Sequence, residues 1–321
     1  MRPAEITFPS YVDNLVIVDR TKFDKEAVNV VESILTGEMP GEDATGVQEL
    51  INSFQQQLSY SPRFQTRVAT ERLDGNSLTS VFPKRLSWST VNKLCKKYNS
   101  QAVVAIEIFD TDFIITDGKR KVKRTVVVDS VKKEVEVNEY YAQGVGNINI
   151  GIRLYDPKAK KVIDQQLLKK NRTWKAEGST LQDAVRQLVA KSDATRFLSQ
   201  QVGGDYAYKV APMPVTIRRT FYGKSRKAPA LEQGARYADV GEWKSAISVW
   251  KQGIKRSPPT KQCGYLSHNI AIAYEVLGDL KTAKNWAQKS YTRYGNKDAK
   301  NYVSLIQQRL QDEQLAERQM K

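Results

Sequence analysis

The chain has a single histidine, His268, and it stands beside Asn269 in a helical pattern. Nucleophilic catalysis of the serine or cysteine kind needs an imidazole within hydrogen-bond reach of the nucleophile. One histidine next to an amide on a helix points instead to packing or to the surface. Asp110, Asp112 and Asp117 offer oxygen ligands for a hard cation, but they lack the spacing of a calcium loop and no glutamate completes one. They read as the solvated end of a strand. Gly144-Val145-Gly146-Asn147-Ile148-Asn149 lacks the third glycine of a dinucleotide fingerprint, and no phosphate loop occurs. Glycines there relieve crowding or form a bulge where strands pair. Cys95 and Cys263 lie too far apart in sequence for a redox motif or a zinc site and read as buried free thiols. The carboxylates are scattered, with nothing pointing to a glycosidase pair. The residue types therefore predict no catalytic set, no metal and no cofactor.

Two patterns suit binding. Lys119, Arg120, Lys121, Lys123 and Arg124 form a basic run between apolar β segments. As the tip of a projecting hairpin it could contact anionic headgroups or phosphates, or simply discourage edge pairing. Tyr140-Tyr141 could stack bases but suit cross-strand pairing better. The second pattern is a repeat. Tyr237, Gly241, Trp243, Ala246 and Trp250 recur as Tyr274, Gly278, Leu280, Ala283 and Ala287, near the period of helix–turn–helix solenoids. Stacked hairpins expose a groove for peptides. Arg236, Tyr265 and Asn269 are expected to line it, with a guanidinium and an amide suited to backbone or carboxylate.

The elements that must position these residues follow from periodicity. Asn14–Asp19 is a short apolar run typical of a doubly buried strand. Helices are expected over Lys25–Leu35 and from Gly46 to before Ser61-Pro62, with a turn at Thr36–Gly41 between them. A strand over Phe64–Ala69, a helix over Trp88–Asn99 capped by Ser87 and a strand over Ala102–Phe109 follow. Residues 113–141 read as an extended ribbon. Asn147–Tyr155 and Lys161–Leu168 make a hairpin turning at Asp156-Pro157-Lys158, and Leu181–Leu198 is one long helix. The fold class is thus α/β, a mixed sheet with packed helices over 1–210, ending near Gly203-Gly204. A linker over 211–227 and an all-helical part over 228–321 come after it. In that part small residues (Gly241, Ala246, Gly278, Ala283) let helices approach closely. A final helix from about Asp298 to Arg318 places Tyr302, Leu305, Ile306 and Leu310 on one face as a cap.

The 321 residues carry a formal charge of +16, spread along the chain. A dedicated nucleic-acid domain would concentrate it, so nucleic acid is the less favoured anionic partner. No stretch approaches the ~18 apolar residues of a membrane span. The opening Met1-Arg2-Pro3-Ala4-Glu5 shows no signal-peptide pattern, which fits a cytoplasmic chain and one whose leader was removed alike. Pore formation is disfavoured, because residues 126–137 alternate only in part and carry Lys132, Lys133, Glu134 and Glu136.

Through the twice-repeated Tyr–Gly–Ala spacing, the helical part resembles tetratricopeptide repeats, with the small residues Gly253 and Ser290 where the family usually has Ala. Leu15–Val18, the helix ending in Ser61-Pro62-Arg63-Phe64, Ala102–Ile108 and Ile152-Arg153-Leu154-Tyr155-Asp156 with Lys161-Val162 make the front part similar to envelope-lipoprotein domains of the curli-secretion and TolB-N type. With Arg2-Pro3-Ala4-Glu5-Ile6 and the repeats, the chain resembles a family of Bacteroidetes cell-envelope lipoproteins with no established activity. The resemblance implies an outer-membrane lipoprotein on the periplasmic or surface side. The expected function is that of a non-enzymatic scaffold docking a protein or peptide partner through its repeats. The alternative is a polyanion binder.

Overall fold

The structure, a computed structural model, describes residues 1–21, 42–75, 81–128, 131–256 and 258–321. The helix expected over Lys25–Leu35 and the turn at Thr36–Gly41 lie outside them. The chain divides into two compact units: Ala4–Met213 with Gln319–Lys321, and Met1–Pro3 with Pro214–Arg318. The expected pairing of a mixed α/β part with an all-helical part is what the structure has. Residues 214–227, expected as a linker, group with the helices.

The first unit holds β1 (Asn14–Asp19), α1 (Glu42–Leu58), β2 (Gln65–Val68), α2 (Trp88–Lys97), β3 (Ala102–Val128), β4 (Val131–Asp156), β5 (Lys161–Gly178), α3 (Leu181–Gln187) and α4 (Lys191–Val210). The sheet order is β2-β1-β3-β4-β5. β1 runs parallel to β2 and β3, and the β3–β4 and β4–β5 pairs are antiparallel. β1 is apolar throughout Leu15–Val18 because both faces are covered. Leu15 and Ile17 join Leu50, Phe54 and Tyr206 in one core, while Val16 and Val18 join Val91, Leu94 and Tyr155 in another. Ser87 caps α2 by accepting from the Thr90 amide at 3.1 Å.

Where one helix was expected over Leu181–Leu198 there are two, because Leu188 leaves the helix with ψ 148° and packs into a small apolar cluster with Ala142 and Ala184. Gly203-Gly204 does not end the domain but sits inside α4. A Cβ at Gly203 would lie 2.4 Å from the Leu50 carbonyl oxygen, so glycine lets α1 and α4 cross closely. Gly144 and Gly146 do relieve crowding: a Cβ would meet Phe113 at 2.4 Å and Trp174 at 3.0 Å respectively.

The register of β3 on β4 shifts between Ile106 and Ile108, and Glu107, between them, is 0% exposed. Its Oε1 accepts from Arg20 Nη1 at 2.8 Å and the Tyr155 hydroxyl at 2.7 Å, and its Oε2 from Arg153 Nη1 at 2.7 Å. Arg153 Nη1 also donates to the Pro83 carbonyl at 2.8 Å, and the Leu86 amide donates to the Tyr155 hydroxyl at 3.2 Å. A buried carboxylate with this many donors fastens residues 83–86 to the sheet.

β5 stops pairing at Tyr140↔Gly178, whereas β3 and β4 continue as a two-stranded ribbon from Arg120↔Glu139 to Val128↔Val131. At ~3.3 Å per residue that extension is about 30 Å long. Lys119–Arg124 is therefore not a tip, as expected, but the base of the ribbon. Glu136 and Glu139 on β4 stand opposite Lys123 and Arg120, and this charge matching lets the strand pass through the basic run.

The second unit holds α5 (Ala230–Asp239), α6 (Trp243–Lys255), α7 (Thr260–Val276), α8 (Leu280–Thr292) and α9 (Lys297–Gln319). Gly241 and Gly278 are not close-approach residues, as expected from their size. Both have positive φ, 81° and 84°, with nothing near a Cβ, and they end the first helix of each hairpin. Close approach falls to Gly234, where a Cβ would lie 2.1 Å from Trp250 Nε1, and to Gly253, 2.5 Å from Ala230 Cβ. Tyr302 and Ile306 are buried on α9, but Leu305 is 52% exposed.

Candidate functional site

α7 presents Tyr265, His268, Asn269, Ile272 and Glu275 at i, i+3, i+4, i+7 and i+10, the spacing of one helix face. The chain segment preceding α5 touches four of them, Tyr265, His268, Asn269 and Glu275. Residues 214–224 have no helix or strand of their own. Asn269, 0% exposed, donates from Nδ2 to the Tyr222 carbonyl at 2.8 Å and accepts at Oδ1 from the Tyr222 amide at 2.8 Å. One side-chain amide thus satisfies both main-chain groups of one residue, as a neighbouring β-strand would.

Side chains add to this clamp. The Tyr222 ring stacks on Tyr265, with centroids 3.7 Å apart and planes at 17°, and meets His268 edge-on at 5.6 Å. Its hydroxyl donates to Asp298 Oδ2 at 2.5 Å. Burial, reinforced by Asp298, pushes the Tyr222 hydroxyl pKa up. Phe221 lies 6.3 Å from the Trp243 ring and 6.1 Å from Trp250. Arg219 donates from Nε and Nη2 to Glu275 Oε2 and Oε1, at 2.8 and 2.9 Å.

Glu275 is 2% exposed and also accepts from the Tyr302 hydroxyl at 2.6 Å and Arg309 Nη1 at 2.8 Å. Burial opposes its ionisation, but the donors Arg219, Tyr302 and Arg309 outweigh burial and hold its carboxyl below the usual range. Burial lowers the pKa of His268 against the opposing pull of Asp298, and its Nδ1 has no hydrogen-bond partner among the described residues. The imidazole, wedged between the Tyr222 and Tyr302 rings, is a packing group.

Of the expected groove residues, Tyr265 and Asn269 are brought together on Tyr222. Arg236 is not with them: it pairs with Glu232 on its own helix at 3.6 Å and faces solvent. Arg219, Tyr222 and Glu275 were not foreseen. The alternation of Arg219, Phe221 and the exposed Arg218 and Thr220 was the available signal, hidden because the stretch is too short for a strand pattern.

The basic run on β3 is largely engaged within the sheet. Arg120 reaches Glu139 at 2.6 Å and Glu177 at 2.7 Å, Arg124 reaches Glu139 at 2.8 Å, and Lys121 reaches Glu136 at 3.7 Å. Lys119 and Lys123 are exposed. Glu139 is held below the usual carboxylate range by Arg124 and Arg120. Asp110, Asp112 and Asp117 lie within β3 rather than at its end, and Asn149 donates to Asp110 at 2.9 Å. Among the described residues no group of three or more His, Cys, Asp or Glu side chains could hold a metal ion. Cys95 and Cys263 are free and buried, and burial raises the pKa of each thiol. Among the described residues no helix is long and apolar enough to cross a membrane.

The model of the domain of unknown function DUF8603 matches residues 12–222, and that of the domain of unknown function DUF6340 matches residues 232–311. No curated protein matches the chain. A crystal structure described as a neuraminyllactose-binding hemagglutinin homolog from Helicobacter pylori is similar over 64% of this chain and 86% of that one, at 12% identity and a TM-score of 0.24. With more than half of its 321 residues inside the first match, the chain belongs to the family of the domain of unknown function DUF8603.

Proposed function

We propose that this protein is a non-enzymatic interaction protein whose helical unit binds an extended peptide segment of a protein partner. The observation that carries the proposal is the Asn269 clamp. A fully buried amide makes two 2.8 Å hydrogen bonds to the main chain of Tyr222, and main-chain recognition of this kind is indifferent to side-chain identity. The face of α7 therefore holds extended chain, and the resemblance to tetratricopeptide repeats supports the same use. Placement in the cell envelope rests on the resemblance of the front part to envelope-lipoprotein domains.

Selection of displayed random peptides on the whole chain carrying Arg219→Ala, Phe221→Ala and Tyr222→Ala, which releases its own segment from the clamp, tests this. Enriched peptides are expected to lose binding to the Asn269→Ala chain and to keep it for Arg236→Ala. Enrichment of nothing, or of peptides indifferent to Asn269→Ala, contradicts the proposal.

A further inference from the structure

Resting on that peptide-binding reading, we infer that residues 219–222 are a resident ligand that gates the groove. The partner segment that displaces them is an extended stretch carrying arginine two and three residues ahead of an aromatic pair, as in Arg219-Thr220-Phe221-Tyr222. The main-chain clamp explains why the groove takes extended chain, and the side-chain anchors say which chain. Glu275 receives a planar guanidinium through two parallel bonds, a geometry that an ammonium cannot reproduce. Trp243 and Trp250 flank one aromatic ring. Tyr265 stacks on the next, whose hydroxyl must reach Asp298.

Three observations make the segment a ligand rather than a core strand. Arg219, Phe221 and Tyr222 are held, whereas Arg218, Thr220, Gly223 and Lys224 between and beside them are exposed. The buried helical core is built from Leu231, Ala246, Trp250, Leu266 and Ile270, with Phe221 and Tyr222 only packed against it from outside. The segment also ends the DUF8603 match at residue 222, whereas Asn269 and Glu275 fall in the separately matched 232–311. A tethered segment competes at an effective concentration on the order of millimolar, so a free peptide of micromolar affinity meets a groove that is mostly closed.

The test uses a fluorescein-labelled synthetic peptide of residues 215–224 and a control peptide with alanine at the positions of Arg219 and Tyr222. Anisotropy titrations compare the whole natural chain with the whole chain carrying Arg219→Ala, Phe221→Ala and Tyr222→Ala. A second form, Arg219→Ala alone, keeps both aromatics in case the triple change disturbs folding. The expected result is binding of the cognate peptide at least about tenfold tighter to the triple variant than to the natural chain. Arg219→Ala alone should give a smaller gain. The control peptide should bind the opened chain at least about tenfold more weakly than the cognate. Equal binding of cognate and control overturns the assigned partner chemistry and leaves the peptide-binding reading in place. Equal binding of the cognate peptide to natural and opened chains overturns the gating. No binding of either peptide to either opened form overturns both.

Discussion

The guanidinium of Arg219 meets the carboxylate of Glu275 side-on, Nε to Oε2 at 2.8 Å and Nη2 to Oε1 at 2.9 Å. Arg219 lies in a stretch with no regular structure and Glu275 in the last turn of α7. The pair therefore joins a segment that could be free to a helix face that would otherwise hold a buried carboxylate with fewer donors.

Removing either partner should have unequal effects. Glu275→Ala leaves Arg219, Arg309 and Tyr302 without their acceptor and is expected to cost about 2–4 kcal/mol, below the value for a fully buried pair because both arginines are about a quarter exposed. Arg219→Ala leaves Glu275 with two donors and should cost about 1 kcal/mol. Urea unfolding of the two whole-chain variants checks the order.

Docking of the segment should weaken as pH falls. The folded-state pKa of Glu275 is depressed, so its contribution is full above the ordinary value of 4.5 and is lost as pH drops through the folded value. The folded-state pKa of His268 is depressed from 6.5. The unfolded chain therefore takes up the proton first, and stability declines as pH falls below that value. The groups facing His268 are Tyr222, Tyr302 and Asp298. Tryptophan fluorescence from Trp243 and Trp250 beside Phe221 should report a change below pH ~6.5. His268→Asn should flatten its upper part.

The glycines should separate by mechanism. Gly278→Ala forces a side chain into φ 84° with open space around it, an expected loss of about 1–2 kcal/mol. Gly234→Ala drives a methyl into Trp250 and should cost more than that, with overpacking penalties of about 1–3 kcal/mol or above. Thermal unfolding of the two variants measures the difference.

In the sheet unit, Glu107→Ala leaves Arg20 and Arg153, both nearly buried, without their common carboxylate. The expected loss is about 3–5 kcal/mol, seen as a lower urea midpoint. An unchanged midpoint would mean that the cluster fastens nothing.

Most elements were legible because burial imposes a period. Leu15–Val18 had to be doubly covered, and Val47, Leu50, Ile51, Phe54 and Leu58 had to share a face. What failed was what depends on a neighbour. Gly203 reads as a breaker until α1 is seen crossing it, and Gly241 reads as a contact residue until its φ is known. Lys119–Arg124 reads as a turn until Glu136 and Glu139 are found opposite. Helical spacing could put Tyr265 and Asn269 on one face. The segment that lies on that face was not legible, because extended chain without periodicity carries no local sign of where it docks.

The most direct measurement is residue-resolved hydrogen exchange at the Tyr222 amide in the whole protein. The account predicts protection of about two orders of magnitude over unstructured chain, lost in Asn269→Ala while the amides of α7 stay protected. A Tyr222 amide that exchanges like free chain in the natural protein, or stays protected without Asn269, would contradict it.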